Sequence, residues 1–259
     1  MQVLTGYCRQ AYARQVCERN LSPADQDVLA LARPHNERNP SATILLRTYY
    51  GPGSDDALAA ILATFHGFPE FGLGEEGRDC LFSDVRYAYG NAWQRIFGRM
   101  PQLLECLRTD YEADRAAALQ VGQDMEREDK EMIESEGGEW PRDAAYIGDM
   151  YNQYHIAATC RLMYVLDEAT LAGDKRVEER KLLAVWHDPD GRIVRSCRMS
   201  PDEVYTQTAT LETVVRDDKS TWMDAEIGDD YNWGGILGPP PIEGEDEDEG
   251  EEGSDEDER

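Results

Sequence analysis

The chain has 259 residues, 41% of them hydrophobic, and a formal net charge of -27. That length and apolar content suffice for one sizeable domain or two small ones. So acidic a chain repels phosphate backbones and anionic lipid surfaces, which argues against nucleic acid or a membrane as a partner.

The chain opens MQVLTGYCRQAYARQVCER, with Arg9, Arg14, Glu18 and Arg19 where a signal peptide needs an apolar stretch. No run of about 18 apolar residues follows, so no spanning helix is expected and the chain reads as intracellular, cytoplasmic or nuclear. Residues 1–41 are expected to form a helix and a polar linker. The core domain is placed at 42–238.

Ala42–Tyr50 (ATILLRTYY) reads as the first strand. GPGSD follows it. A phosphate loop would carry Lys-Ser or Lys-Thr, and here Asp55 and Asp56 stand instead. Carboxylates suit the positive end of a helix and repel phosphate, so Pro52–Gly53 is a turn with Ser54 as the helix cap. Ala57, Leu58, Ile61, Leu62 and Phe65 give that helix its apolar stripe.

Leu81–Tyr89 is a second strand candidate. Helical spacing from Ala92 to Glu134, broken by Pro101, predicts two helices, the second long and charged. Cys160–Leu166 (CRLMYVL) reads as a buried strand. Lys181–His187 and Arg192–Met199 flank DPDG, a hairpin signal. Ser200-Pro201-Asp202-Glu203 starts a late helix. After Gly238 come three prolines and Ile242, and 12 of the last seventeen residues are Asp or Glu. Segment 239–259 is expected to be a disordered acidic tail, because it has almost no apolar surface to offset its ordering entropy. The alternation of helices and strands with a terminal hairpin predicts an α+β fold. The expected architecture is a single mixed or antiparallel sheet with helices on one face, a ferredoxin-like variant.

RTYYGPGSDDALAAIL resembles the start of a family of uncharacterised fungal proteins, with a strand, an Arg-Thr-x-Tyr-Gly-Pro-Gly-Ser-Asp turn and a helix. CRLMYVLDEATLAGD is similar to a strand in that family followed by Asp-Glu and a short helix. The resemblance implies a fungal origin and a shared fold, and no reaction.

Among possible sites, FGLGEEG matches GxGxxG through Gly72, Gly74 and Gly77, but acids follow the glycines and a strand comes next, so a plain loop is expected. The six cysteines are scattered without a CxxC pair, and the four histidines form no HxxxH, so neither a metal nor a cofactor is expected. The six cysteines are expected to be reduced and mostly buried. Asp167-Glu168 reads as a helix cap. Alternation puts Arg47 and Tyr49 on one face of the first strand, where they could grip a carboxylate or phenolate, with His187 as a proton shuttle. Trp222, Tyr231 and Trp233, set among acids, are candidates either for docking a partner or for packing as a closing arm.

The expected function is a non-enzymatic protein-interaction module whose acidic tail meets a basic protein. The alternative is a cofactor-independent enzyme of fungal secondary metabolism using Arg47, Tyr49 and His187.

Overall fold

A computed structural model describes residues 21, 23–32, 43–66, 79–106, 108, 110–141, 143–204 and 220–238. Within them, eight helices surround one mixed sheet. The helices are α1 (Pro23–Ala32), α2 (Ser54–His66), α3 (Arg95–Arg99), α4 (Tyr111–Ser135), α5 (Ala144–Met150), α6 (Asn152–Ala158), α7 (Glu168–Leu171) and α8 (Ser220–Met223). The strands are β1 (Thr43–Arg47), β2 (Asp79–Phe82), β3 (Arg161–Leu166), β4 (Leu182–His187), β5 (Ile193–Met199) and β6 (Glu226–Ile227).

The order across the sheet is β2-β1-β3-β4-β5-β6. Strand β1 runs parallel to both neighbours, pairing Leu45 with Leu81 and with Tyr164. From β3 onward the strands form an antiparallel meander. The ferredoxin-like expectation is not met, because that fold needs a βαββαβ order and here β3 to β6 follow one another as a meander.

Helices cover both faces of the sheet, which corrects the one-face expectation. Alternate residues of the central strands enter two separate cores. Leu45, Tyr164, Leu166, Ala184 and Trp186 face α2, α5, α6 and α7. Ile44, Leu46, Met163, Val165 and Val185 face α1, α3 and the single-turn helices Val85–Tyr87 and Pro101–Leu104. The physical reason lies in Ile44-Leu45-Leu46 and LMYVL, which are apolar at every position rather than at every second one, as a strand buried on both sides requires.

The expected linker contains α1, whose Leu29, with Leu21 before it, is buried in the second core. The 81–89 strand is reduced to Asp79–Phe82, and Asp84 then caps a single turn by accepting from Arg86 N at 2.9 Å. The second of the two expected helices starts only at Tyr111, because Pro101 and the single turn after it use up the intervening chain. The outer half of α4 is fastened by phenols: Tyr151 donates to Glu126 at 2.5 Å and Tyr146 to Asp129 at 3.0 Å. The DPDG hairpin forms as its composition demands. Asp188 Oδ1 accepts from Asp190 N and Arg192 N at 2.8 and 2.9 Å, and Gly191 takes φ +80.

Residues 1–20, the Gly72–Gly77 loop and segment 239–259 lie outside the described residues. Among the described residues no helix is long and apolar enough to cross a membrane.

Candidate functional site

The chain leaves β1 to one side through α2 and β2, then returns to β1's other side at β3. In open sheets with parallel strands, the crevice beyond the carboxyl ends at such a switch is where ligands bind. Here that end holds Arg47, Thr48, Tyr49, Tyr50 and the first turn of α2.

Arg47 is 5% exposed and committed to its own loop. Its Nε donates to Tyr49 O at 3.0 Å, and Nη2 donates to Ser54 Oγ at 2.8 Å and pairs with Asp55 at 2.6 Å. The guanidinium lies 4.3 Å over the ring of Tyr50. Tyr50, not Tyr49, is therefore the aromatic partner of Arg47. Alternation stops applying because the strand ends at Arg47. Tyr49 instead lies against Gly51, where an added Cβ would fall 2.1 Å from its hydroxyl oxygen.

Ser54 is the first residue of α2 rather than its cap. Gly53, at φ +74, supplies the carbonyl that receives the first helical bond, from Ala57 N at 3.1 Å. Ser54 Oγ is freed from capping and joins Arg47 to Gly51 O. The Thr48 hydroxyl is buried at this edge without a hydrogen-bond partner.

Beside it, Asp167 caps α7, accepting from Thr170 N at 3.1 Å, and grips Arg198 through both carboxylate oxygens. Burial alone would raise the Asp167 pKa, but the bonds from Arg198 and Thr170 outweigh it and hold the carboxyl below its ordinary value.

His187 is far from this edge. Arg47 pairs with Leu166 and His187 with Arg161, positions five apart on β3, roughly 16 Å at a strand rise of ~3.3 Å. The imidazole is fully buried on the opposite face of the sheet, 4.9 Å from the ring of Phe97. Its Nδ1 donates to Asp188 O at 3.0 Å, and its Nε2 has no hydrogen-bond partner. Burial drives its pKa down to about 4, so it is neutral in the fold. The three expected catalytic residues are thus not brought together.

The third polar cluster has no local signal in the sequence. Arg195 on β5 is 1% exposed. It donates to Trp222 O at 2.7 Å, to Gly148 O at 3.1 Å and to His155, and lies 5.0 Å over the Trp222 ring. Burial lowers its pKa to about 10. Tyr231 donates to Asp188 at 2.8 Å, with its phenol pKa raised by burial and by that carboxylate. Trp222 packs edge-on against Trp186 and donates to Asn152. Trp222 and Tyr231 are therefore buried among the chain's own residues, and Trp233 is half-buried against the same core. Only pairing of β5 with an unseen strand could have suggested a buried arginine there, and β6 is two residues long.

Among the described residues no group of three or more His, Cys, Asp or Glu could hold a metal ion. Comparison with known protein families, with characterised proteins and with solved structures finds no match.

Proposed function

We propose that the chain is a non-enzymatic, intracellular protein-interaction module that presents its acidic C-terminal segment to a basic protein. The carrying observation is where that segment begins. Residues 220–238 are fastened to the core through Trp222, which receives Arg195 and donates to Asn152, and through Tyr231, which donates to Asp188. Four residues beyond this anchored arm begins a stretch with 12 acids in seventeen residues. A dense negative charge on a fixed mount attracts a basic surface over about a Debye length and raises its association rate. The resemblance to fungal proteins supports a fungal setting.

The test is affinity capture from a fungal extract with the full chain and with a version ending at Gly238. Captured proteins are then purified and titrated against both versions over a salt series. A basic protein that binds the full chain alone, with affinity falling as salt rises, supports the reading. Equal binding by both versions refutes it.

A second reading, a cofactor-independent enzyme acting on a small molecule, is favoured by one observation. The switch between β1 and β3 places Arg47 and the unpartnered Thr48 hydroxyl at the sheet edge where open sheets bind ligands. Thermal-shift screening with small carboxylates and phenols tests it, since stabilisation lost in Thr48→Val would move weight to this reading.

A further inference from the structure

Cys106 and Cys160 are far apart in sequence and meet in the fold. Cys160 immediately precedes β3, where its amide donates to His187 O at 2.8 Å. Cys106 lies in the link between the Pro101–Leu104 turn and α4. The Cys160 thiol points at that link, with Sγ 3.3 Å from Glu105 O and 3.7 Å from Leu104 O. Cys106 is close enough to Cys160 to be among the groups that raise its pKa. Arg108 ties the same link to the corner before β3 by donating to Ala157 O and, at 2.9 Å, to Thr159 O. The Cys160 sulfur is therefore held against the backbone that leads into Cys106. Neither residue is fully buried, whereas Cys80 on β2 is.

We infer that Cys106 and Cys160 form a reversible disulfide when the protein meets a peroxide. The Cys106 thiolate attacks one oxygen of hydrogen peroxide, the O–O bond breaks, hydroxide leaves and a sulfenic acid remains. The Cys160 sulfur then attacks the sulfenic sulfur, its S–H and the S–O bond break, and the proton released by Cys160 leaves with the oxygen as water. In sum, two thiols and one peroxide give one disulfide and two waters, with each sulfur oxidised by one electron and the peroxide reduced by two. Cys106 is the first to react because burial holds Cys160 as the thiol, raising its pKa to about 12. The bridge would pin the α4 entry to the start of β3. It stands apart from the partner-binding reading, since it needs only these two residues.

The experiment exposes the full chain to dilute hydrogen peroxide, counts thiols and maps peptides by mass spectrometry without reduction. The expected result is a loss of two of the six thiols, with one new cross-linked peptide joining residues 106 and 160. Dithiothreitol reverses it, and Cys106→Ser and Cys160→Ser each abolish it. A variant with serine at Cys8, Cys17, Cys80 and Cys197 keeps it, which guards against misfolding in the single variants. Oxidation of Cys106 to a sulfinic acid without a bridge, or bridges formed only between other cysteines, would overturn the inference.

Discussion

Arg195 makes His155 an acceptor: its Nε and Nη2 both point at His155 Nδ1, at 3.2 and 3.1 Å. A guanidinium has only donors, so Nδ1 carries the lone pair and the proton resides on Nε2, 3.2 Å from Tyr231 O. One contact thus fixes a tautomer and, through Tyr231, fastens the C-terminal arm.

Replacing Arg195 by methionine keeps much of the volume and removes every donor. Gly148 O, Trp222 O and His155 Nδ1 would then be buried without their partner, and such groups cost about 1–3 kcal/mol each. Arg195→Met is expected to lose at least about 3 kcal/mol in urea unfolding, with faster amide exchange across 220–231. A loss below about 1 kcal/mol would mean the arm does not depend on this bond network.

Acid should weaken the fold before any carboxylate titrates. Burial, reinforced by Arg195, takes the His155 pKa down to about 3, and burial takes His187 to about 4. Between the unfolded value near 6.5 and these values, the unfolded chain binds protons that the folded chain refuses. Stability is thus complete above about pH 6.5 and falls as pH drops, by up to about 1.4 kcal/mol per unit for each histidine. Asp84 and Asp167, both lowered, enter only below the ordinary carboxylate range. Urea unfolding at several pH values checks this, and His187→Phe should flatten the slope by about half. A flat profile from pH 7 to 5 would contradict it.

Two arginine–aspartate pairs should differ in worth. Asp55 is 89% exposed, so Asp55→Ala is expected to change stability by less than about 1 kcal/mol despite a 2.6 Å contact with Arg47. Asp167 is 8% exposed, caps α7 and holds Arg198 by both oxygens, so Asp167→Ala should lose about 2–4 kcal/mol. Thermal unfolding of both variants makes the comparison, and equal effects would undo the argument from burial.

Removing residues 239–259 should leave the unfolding temperature unchanged. Ile242 is the only large apolar residue beyond Gly238, so little hydrophobic stabilisation can come from there. A marked drop in Tm for the chain ending at Gly238 would show that the segment packs on the core.

What could be read from the sequence was what is local. DPDG between two apolar runs specifies a hairpin by itself, and two carboxylates after Gly53 specify a helix start. The uninterrupted apolar character of Ile44-Leu45-Leu46 and LMYVL demands cover on both faces, which a one-face arrangement does not supply. Helices α5 and α6 leave little local signal because AAYIGDM and NQYHIAA are only seven residues each, the first holding Gly148 and the second opening on Asn152, and are stabilised by packing rather than by propensity. Grouping Arg47 with Tyr49 rests on a strand to Tyr50, three residues beyond its end at Arg47. Arg195 was out of reach because its partners, Gly148, His155 and Trp222, come from three other parts of the chain.

Strand β3 is the seam between two halves that differ in how far apart their pieces lie along the chain. On one side it pairs with β4, and β4 in turn with β5, through connections far shorter than the one to β1, so closing those pairs costs less chain entropy. On the other side it must find β1 across everything between Arg47 and Arg161. The meander can therefore assemble first and serve as the template on which the parallel pair is laid. Refolding kinetics should show it: Val185→Ala slows folding, whereas Leu46→Ala chiefly speeds unfolding. The protein's kinetic persistence then rests on its parallel edge, the last part to form and the first to let go.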